Sequence, residues 1–156
     1  LATFKGTGRR FEVRADVQGI AVVDDYAHHP TAIKRTIQAA KRRYPDRAVW
    51  AVWQPHTYSR TRRLQEEFML AFDDADHVVI TEVFAARELP HTDFSAAQLV
   101  EDMPHPHAQF APLLADAVEV LREHVTSPAV ILIMSAGNAQ RIGIDYLAGL
   151  QAKGTA

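Results

Sequence analysis

Cysteine is absent from the 156 residues. That removes disulfide bridges and thiolate zinc sites, and it fits a reducing compartment such as the cytoplasm. No apolar run is long enough to span a bilayer, and no charged n-region precedes an apolar h-region, so neither a membrane span nor a secretory leader is expected. A charge excess of one sign is missing as well, with 17 basic residues against 19 acidic ones and a net charge of -2. Nothing therefore advertises a polyanion such as nucleic acid as partner, and any phosphate binding has to be local. Neither a G-x-x-x-x-G-K-[ST] loop nor a G-x-S-x-G nucleophile elbow occurs, so the parts of a self-sufficient ATPase or hydrolase of those kinds are lacking. Internal repeats and low-complexity stretches are absent too.

What is present is ordinary globular material, 47% hydrophobic and 23% charged. The length suits one domain with a sizeable core. The opening LATFKGTGRRFEV has no methionine and reads as an interdomain connector. Residues 1–10 are therefore expected to be a hinge or linker remnant, and 11–156 a single domain. Gly6-Thr7-Gly8-Arg9-Arg10 superficially resembles a phosphate loop, but it precedes a strand instead of following one. Glycines there suit a hinge, with the two arginines able to reach a phosphate.

Periodicity gives the elements. Residues 11–17 alternate weakly, and 19–24 (GIAVVD) are apolar, with Gln18-Gly19 suited to a hairpin turn. Pro30 can open a helix that aligns Ile33, Ile37, Ala40 and Tyr44 on one stripe. AVWAVW at 48–53 reads as a buried strand. A helix capped by Ser59 or Thr61 follows, its inner stripe Leu64, Phe68, Ala71 and Phe72. Residues 77–83 are the next strand, and 84–94 a polar loop. Ser95 caps a short helix, 108–110 form a brief strand, and Leu114, Ala117, Val118, Leu121 and Val125 mark another helix. PAVILIM at 128–134 is the most apolar strand, and Ser135-Ala136-Gly137-Asn138 turns into a last helix with Ile142, Tyr146 and Leu150. The rhythm predicts an α/β fold, a Rossmann-like three-layer α/β/α arrangement. Its sheet should be mostly parallel, with about six strands and one antiparallel strand.

Two runs sit at strand-to-helix turns: VVDDYAHHP at 22–30 and WQPHTYSRTR at 53–62. In an open α/β sheet such turns line the ligand crevice. A carboxylate of Asp24-Asp25 can accept hydrogen bonds from ribose hydroxyls, or simply help start a helix. His28-His29 is a poor metal site, because neighbouring side chains diverge. A histidine stacked on a nucleotide fits better, and one satisfied at a helix start is the plainer alternative. Arginine suits carboxylate or phosphate, and Arg60 lies nearest the turn, where a helix beginning near Ser59 would add backbone dipoles for an anion. Glu82 could orient an arginine or histidine from a neighbouring turn, or form a structural ion pair.

FKGTGRRFEV, VVDDYAHHPTAI, WQPHTYSRTR and ITEVFAARE, in this order and spacing, resemble the C-terminal domain of the Mur ligases. The resemblance covers essentially the whole chain. It implies the lid of a three-domain, ATP-dependent ligase of peptidoglycan precursor synthesis. Such a lid would work against the protein's own N-terminal and central domains and be inactive in isolation. ATP and Mg2+ would be held mainly by the central domain, a carboxylate would pass through an acyl phosphate, and UDP-N-acetylmuramate and L-alanine would be the substrates. Residue by residue, the resemblance assigns Arg10 to the ATP phosphates, Asp25 to the ribose, and Tyr26 and His28 to the adenine side. It assigns His56 and Arg60 to the incoming alanine and the muramyl carboxylate. It places no self-sufficient catalytic residue and no metal ligand in this domain. One departure is Thr57, where the family pattern has arginine. The murein-peptide recycling ligase shares DDxAHHPTAI but generally lacks QPHxYSRTR. A stand-alone nucleotide-binding module and a metal-dependent hydrolase are the other classes to set against it.

Overall fold

The computed structural model describes residues 9–89 and 93–154. Residues 1–8, and with them most of the expected hinge, lie outside the described residues. The first strands are β1 (Glu12–Val17) and β2 (Ile20–Asp25), followed by helix α1 (Pro30–Arg43) and strand β3 (Ala48–Trp53). Next come α2 (Tyr58–Arg63), α3 (Gln65–Leu70), β4 (His77–Ile80), α4 (Ala96–Asp102) and β5 (Ala108–Phe110). The last three are α5 (Leu114–His124), β6 (Ala129–Met134) and α6 (Gln140–Gly154).

The strands form one sheet in the order β1-β2-β6-β3-β4-β5. Only β1 runs antiparallel to its neighbour. Gln18 and Gly19 turn that hairpin with φ of 53° and 77°. Two successive positive values are what a two-residue turn needs to match the strand twist, and glycine adopts one without steric cost.

Alternation along the strands divides the apolar side chains between two faces. Ala21, Val23, Ala51 and Trp53 pack with Ile33 and Ile37 of α1 and with Phe68 and Phe72. Val22, Trp50, Val52 and Ile133 pack with Leu121 of α5 and with Ile142 and Tyr146 of α6. All six residues of β6 are buried, as a strand covered on both faces requires. This is the expected three-layer architecture.

Three local expectations change. The helix after β3 is broken at Leu64 into α2 and α3. It starts at Tyr58 rather than after Ser59 or Thr61, with Thr57 at the cap position. Strand β4 ends at Ile80, and beyond it the Thr81 N–H still bonds the Trp53 carbonyl at 3.1 Å while the Glu82 N–H turns to the Pro112 carbonyl at 3.2 Å.

Candidate functional site

Strand register sets the rim. Asp25 pairs with Met134, Met134 with Trp53, and Trp53 with Ile80, so the carboxyl ends of β2, β6, β3 and β4 finish level. The turns after β2 and β3 thus lie on the same rim, though not adjacent, since β6 separates their strands by about 10 Å. The loops close that gap. The His28 and His56 rings approach to 6.2 Å between centroids. Of the residues singled out in the sequence, Asp25, Tyr26, His28, His56 and Arg60 are brought to one edge.

The β2 turn is organised by Asp25. Its carboxylate accepts from the backbone N–H of Phe11 (2.6 Å) and of Ala27 (2.7 Å), and from the Thr36 hydroxyl (3.5 Å). A carboxylate offers about four acceptor positions, so roughly one remains for a ligand. Tyr26 is exposed, and its ring meets His28 edge-on at 5.0 Å. His28 donates through Nδ1 to the Tyr26 carbonyl at 2.8 Å, which leaves Nε2 for a guest. Pro30 occupies the first turn of α1, and the His29 side chain caps it. A pocket of about 500 Å³ opens here, lined by Arg10, Asp25, Tyr26, His28 and Arg35 among others.

Arg9 and Arg10 part ways. Arg10 is exposed and lines that pocket. Arg9 turns inward: its guanidinium donates to the carbonyls of Ser135 (2.7 Å) and Gly137 (3.4 Å) and lies 3.4 Å from Asp24. It stitches the start of the chain to the turn after β6.

The β3 turn is fixed from two sides. Pro55 and Thr57 exchange backbone hydrogen bonds with Phe84 at 2.8 and 2.9 Å, and the Phe84 ring stacks on His56. His56 Nδ1 is buried and has no hydrogen-bond partner among the described residues. Burial pushes the His56 imidazole below its ordinary pKa, and the Arg60 guanidinium and His28 push the same way against a weaker pull from Glu88. The ring is therefore held neutral near pH 7. Thr57 has φ of 65°. Its carbonyl accepts from the Thr61 hydroxyl at 2.7 Å.

Two expectations for this turn are corrected. The start of α2 does not stand open for an anion. Glu88 fills it, accepting from the Ser59 N–H at 3.1 Å and from the Ser59 hydroxyl. Among the described residues Glu82 orients no arginine or histidine: it caps α4, accepting from Ser95 Oγ (2.6 Å) and the Ala96 N–H (3.0 Å). Both carboxylates satisfy backbone donors that a helix start leaves unpaired.

Sequence reasoning missed the clamp between β3 and β6. Gln54 Oε1 accepts from Ser135 Oγ (2.8 Å) and the Asn138 N–H (3.1 Å), and Nε2 donates to Asn138 Oδ1 (2.8 Å). Gly137 sits against it so closely that a Cβ there would lie 2.6 Å from Gln54 Oε1 and 2.8 Å from the Phe84 ring. A buried-looking glutamine directly after an apolar strand was the available signal.

A wound parallel sheet with polar and cationic turns gathered at its carboxyl rim defines a Rossmann-like domain with a ligand crevice. The chain belongs to the Mur ligase family, since the model for "Mur ligase, glutamate ligase domain" matches residues 9–137. Among relatives, the UDP-N-acetylmuramate–L-alanine ligase of Caldanaerobacter subterraneus subsp. tengcongensis is 43% identical over 150 residues, 94% of this chain and 32% of that one. The crystal structure of the UDP-N-acetylmuramate-alanine ligase of Thermotoga maritima superimposes with a TM-score of 0.75 at 26% identity, covering 96% of this chain and 31% of that chain. The murein peptide ligase of Psychrobacter arcticus gives a TM-score of 0.76 at 29% identity, with 96% and 31% covered. The chain thus spans about a third of the length of the curated relatives it matches.

Proposed function

We propose that this chain is the C-terminal domain of an ATP-dependent ligase that joins L-alanine to UDP-N-acetylmuramate. The observation that carries the reading is the 43% identity to such a ligase across 94% of the chain. The rim supports it. Tyr26 offers an exposed ring for a purine to stack on, Asp25 keeps an acceptor for a ribose hydroxyl, and Arg10 offers a cation beside the same pocket. ATP supplies the phosphoryl group that activates a carboxylate.

Across the rim, neutral His56 and the Arg60 guanidinium suit a substrate carboxylate and the incoming amino acid. A lid carrying these groups excludes water from a hydrolysable intermediate when it closes on the rest of the enzyme. No group of three or more His, Asp or Glu among the described residues could hold a metal ion. Magnesium would be held mainly by the central domain of the whole enzyme. Among the described residues, too, no helix is long and apolar enough to cross a membrane.

Phosphate release by the full-length parent enzyme tests the reading. Release that needs both UDP-N-acetylmuramate and L-alanine is expected. The likeness to the murein peptide ligase favours a second reading, in which a murein peptide replaces alanine. Release driven by the peptide and indifferent to alanine would replace the first reading with the second.

A further inference from the structure

Tyr26 stands 47% exposed beside the pocket of about 500 Å³ at the β2 turn. An aromatic platform yields its full binding energy only if the ring is already in place when the guest arrives. Most of what holds this ring comes from one residue. The Arg9 carbonyl accepts from the Tyr26 N–H, and the Arg9 guanidinium lies over the Tyr26 ring, 5.5 Å from its centroid, within cation–π range. Tyr26 lines the pocket and Arg9 does not, so the guanidinium backs the ring on the side away from a guest.

The guanidinium is itself fixed. Its side chain is 22% exposed, it donates to the carbonyls of Ser135 (2.7 Å) and Gly137 (3.4 Å), and it lies 3.4 Å from the buried Asp24 carboxylate. Those two carbonyls belong to the turn that Gln54 clamps through Ser135 Oγ and the Asn138 N–H. Position therefore passes from the clamp, through Arg9, to the Tyr26 ring. The backbone of Arg9 has φ of 69°, a left-handed conformation that a residue with a Cβ keeps only where its surroundings hold it. Its N–H donates to Glu12 at 3.2 Å.

We propose that Arg9 is a positioning residue of the nucleotide site: it holds the Tyr26 ring as a platform for the purine and touches no substrate itself. The proposal rests on the reading of that pocket as the ATP site.

Steady-state kinetics of the full-length parent with Arg9→Ala, Tyr26→Ala and the double variant test it. Arg9→Ala is expected to raise the KM for ATP about tenfold, while kcat and the KM values for the other two substrates change less than about twofold. Tyr26→Ala should raise the same KM at least as far. In the double variant the effect of removing Arg9 should shrink to less than about twofold, because the ring it holds is gone. Arg9→Lys keeps a charge beside Asp24 but loses the fork that reaches both carbonyls, and it carries the test where the alanine variant does not fold; a rise of about threefold is expected, again confined to ATP and again lost without Tyr26. An unchanged KM for ATP in the Arg9 variants would overturn the proposal, as would uniform losses across substrates or equal factors with and without Tyr26. An unchanged KM for ATP in Tyr26→Ala would overturn the reading of the pocket along with it.

Discussion

Adding one methyl group at Gly137 should unpick the corner that holds the candidate site. The new Cβ would stand 2.6 Å from Gln54 Oε1, 2.8 Å from Phe84 Cγ and 3.0 Å from Cδ1, where ordinary contact begins near 3.4 Å. The obstacles are a side chain held by three hydrogen bonds and a ring stacked on His56, neither of them a free end. Overpacking of this kind costs about 1–3 kcal/mol, and the loss of one Gln54 bond adds about 1 kcal/mol. Gly137→Ala is therefore expected to destabilise by roughly 2–4 kcal/mol, a fall in Tm of about 5–15 °C for a domain of this size. Gly149→Ala is the control. It meets the Arg122 guanidinium, whose bonds to Glu119 and the Asp145 carbonyl are exposed and replaceable by water, and the helix gains about 1 kcal/mol in propensity. Thermal and urea unfolding of both variants decide the matter. A Gly137→Ala protein as stable as its parent would refute the reasoning, because a glycine replaced at a compatible site gains stability.

Acid should loosen the opposite rim. His77 stacks on Trp50 at 4.0 Å and faces His107, with Asp76, His105 and His124 nearby. Burial first, and His107 next, hold the His77 imidazole below its ordinary value, against a weaker pull from Asp76. The folded state therefore binds this proton less readily than the unfolded chain, and stability falls as pH drops from the unfolded pKa of about 6.5 towards the folded one. His77→Phe keeps the stack and should show a smaller loss of Tm between about pH 7.5 and 5.5; an equal loss in both proteins would count against it. In the full-length parent, Asp25→Ala should raise the KM for ATP strongly, and an unchanged constant would remove Asp25 from the nucleotide site. Arg60→Ala should harm use of alanine or of the muramyl substrate more than ATP binding. Uniform losses across substrates would show only a structural role.

Much of the layering was legible because it rests on local patterns. The unbroken apolar run of β6 announces a strand covered on both faces, and the spacing of Ile33, Ile37 and Ala40 announces the inner stripe of α1. The hairpin was equally clear from Gln18-Gly19. What failed depended on distant partners. Leu64 carries no breaker, so the division of α2 from α3 could not be seen. Gln54 and Asn138 are 84 residues apart, so a glutamine directly after an apolar strand signals a buried amide but not its partner. Glu82 suggested an orienting carboxylate or an ion pair, and Glu88 drew no reading, because the donors they satisfy, at Ala96 and Ser59, come from other segments. Arg9 and Arg10 are indistinguishable in a string, and only the backbone decides which one turns inward.

The placement of β6 has a bearing on biosynthesis. Of the six strands of this sheet, the last to be synthesised is the one that lies between β2 and β3. Until Ala129–Met134 emerges, two hydrophobic strand edges stand without a neighbour in common, and the histidines of the two early turns have nothing to hold them together. Nascent chains arrested before that strand are the species most exposed to mispairing and to capture by chaperones.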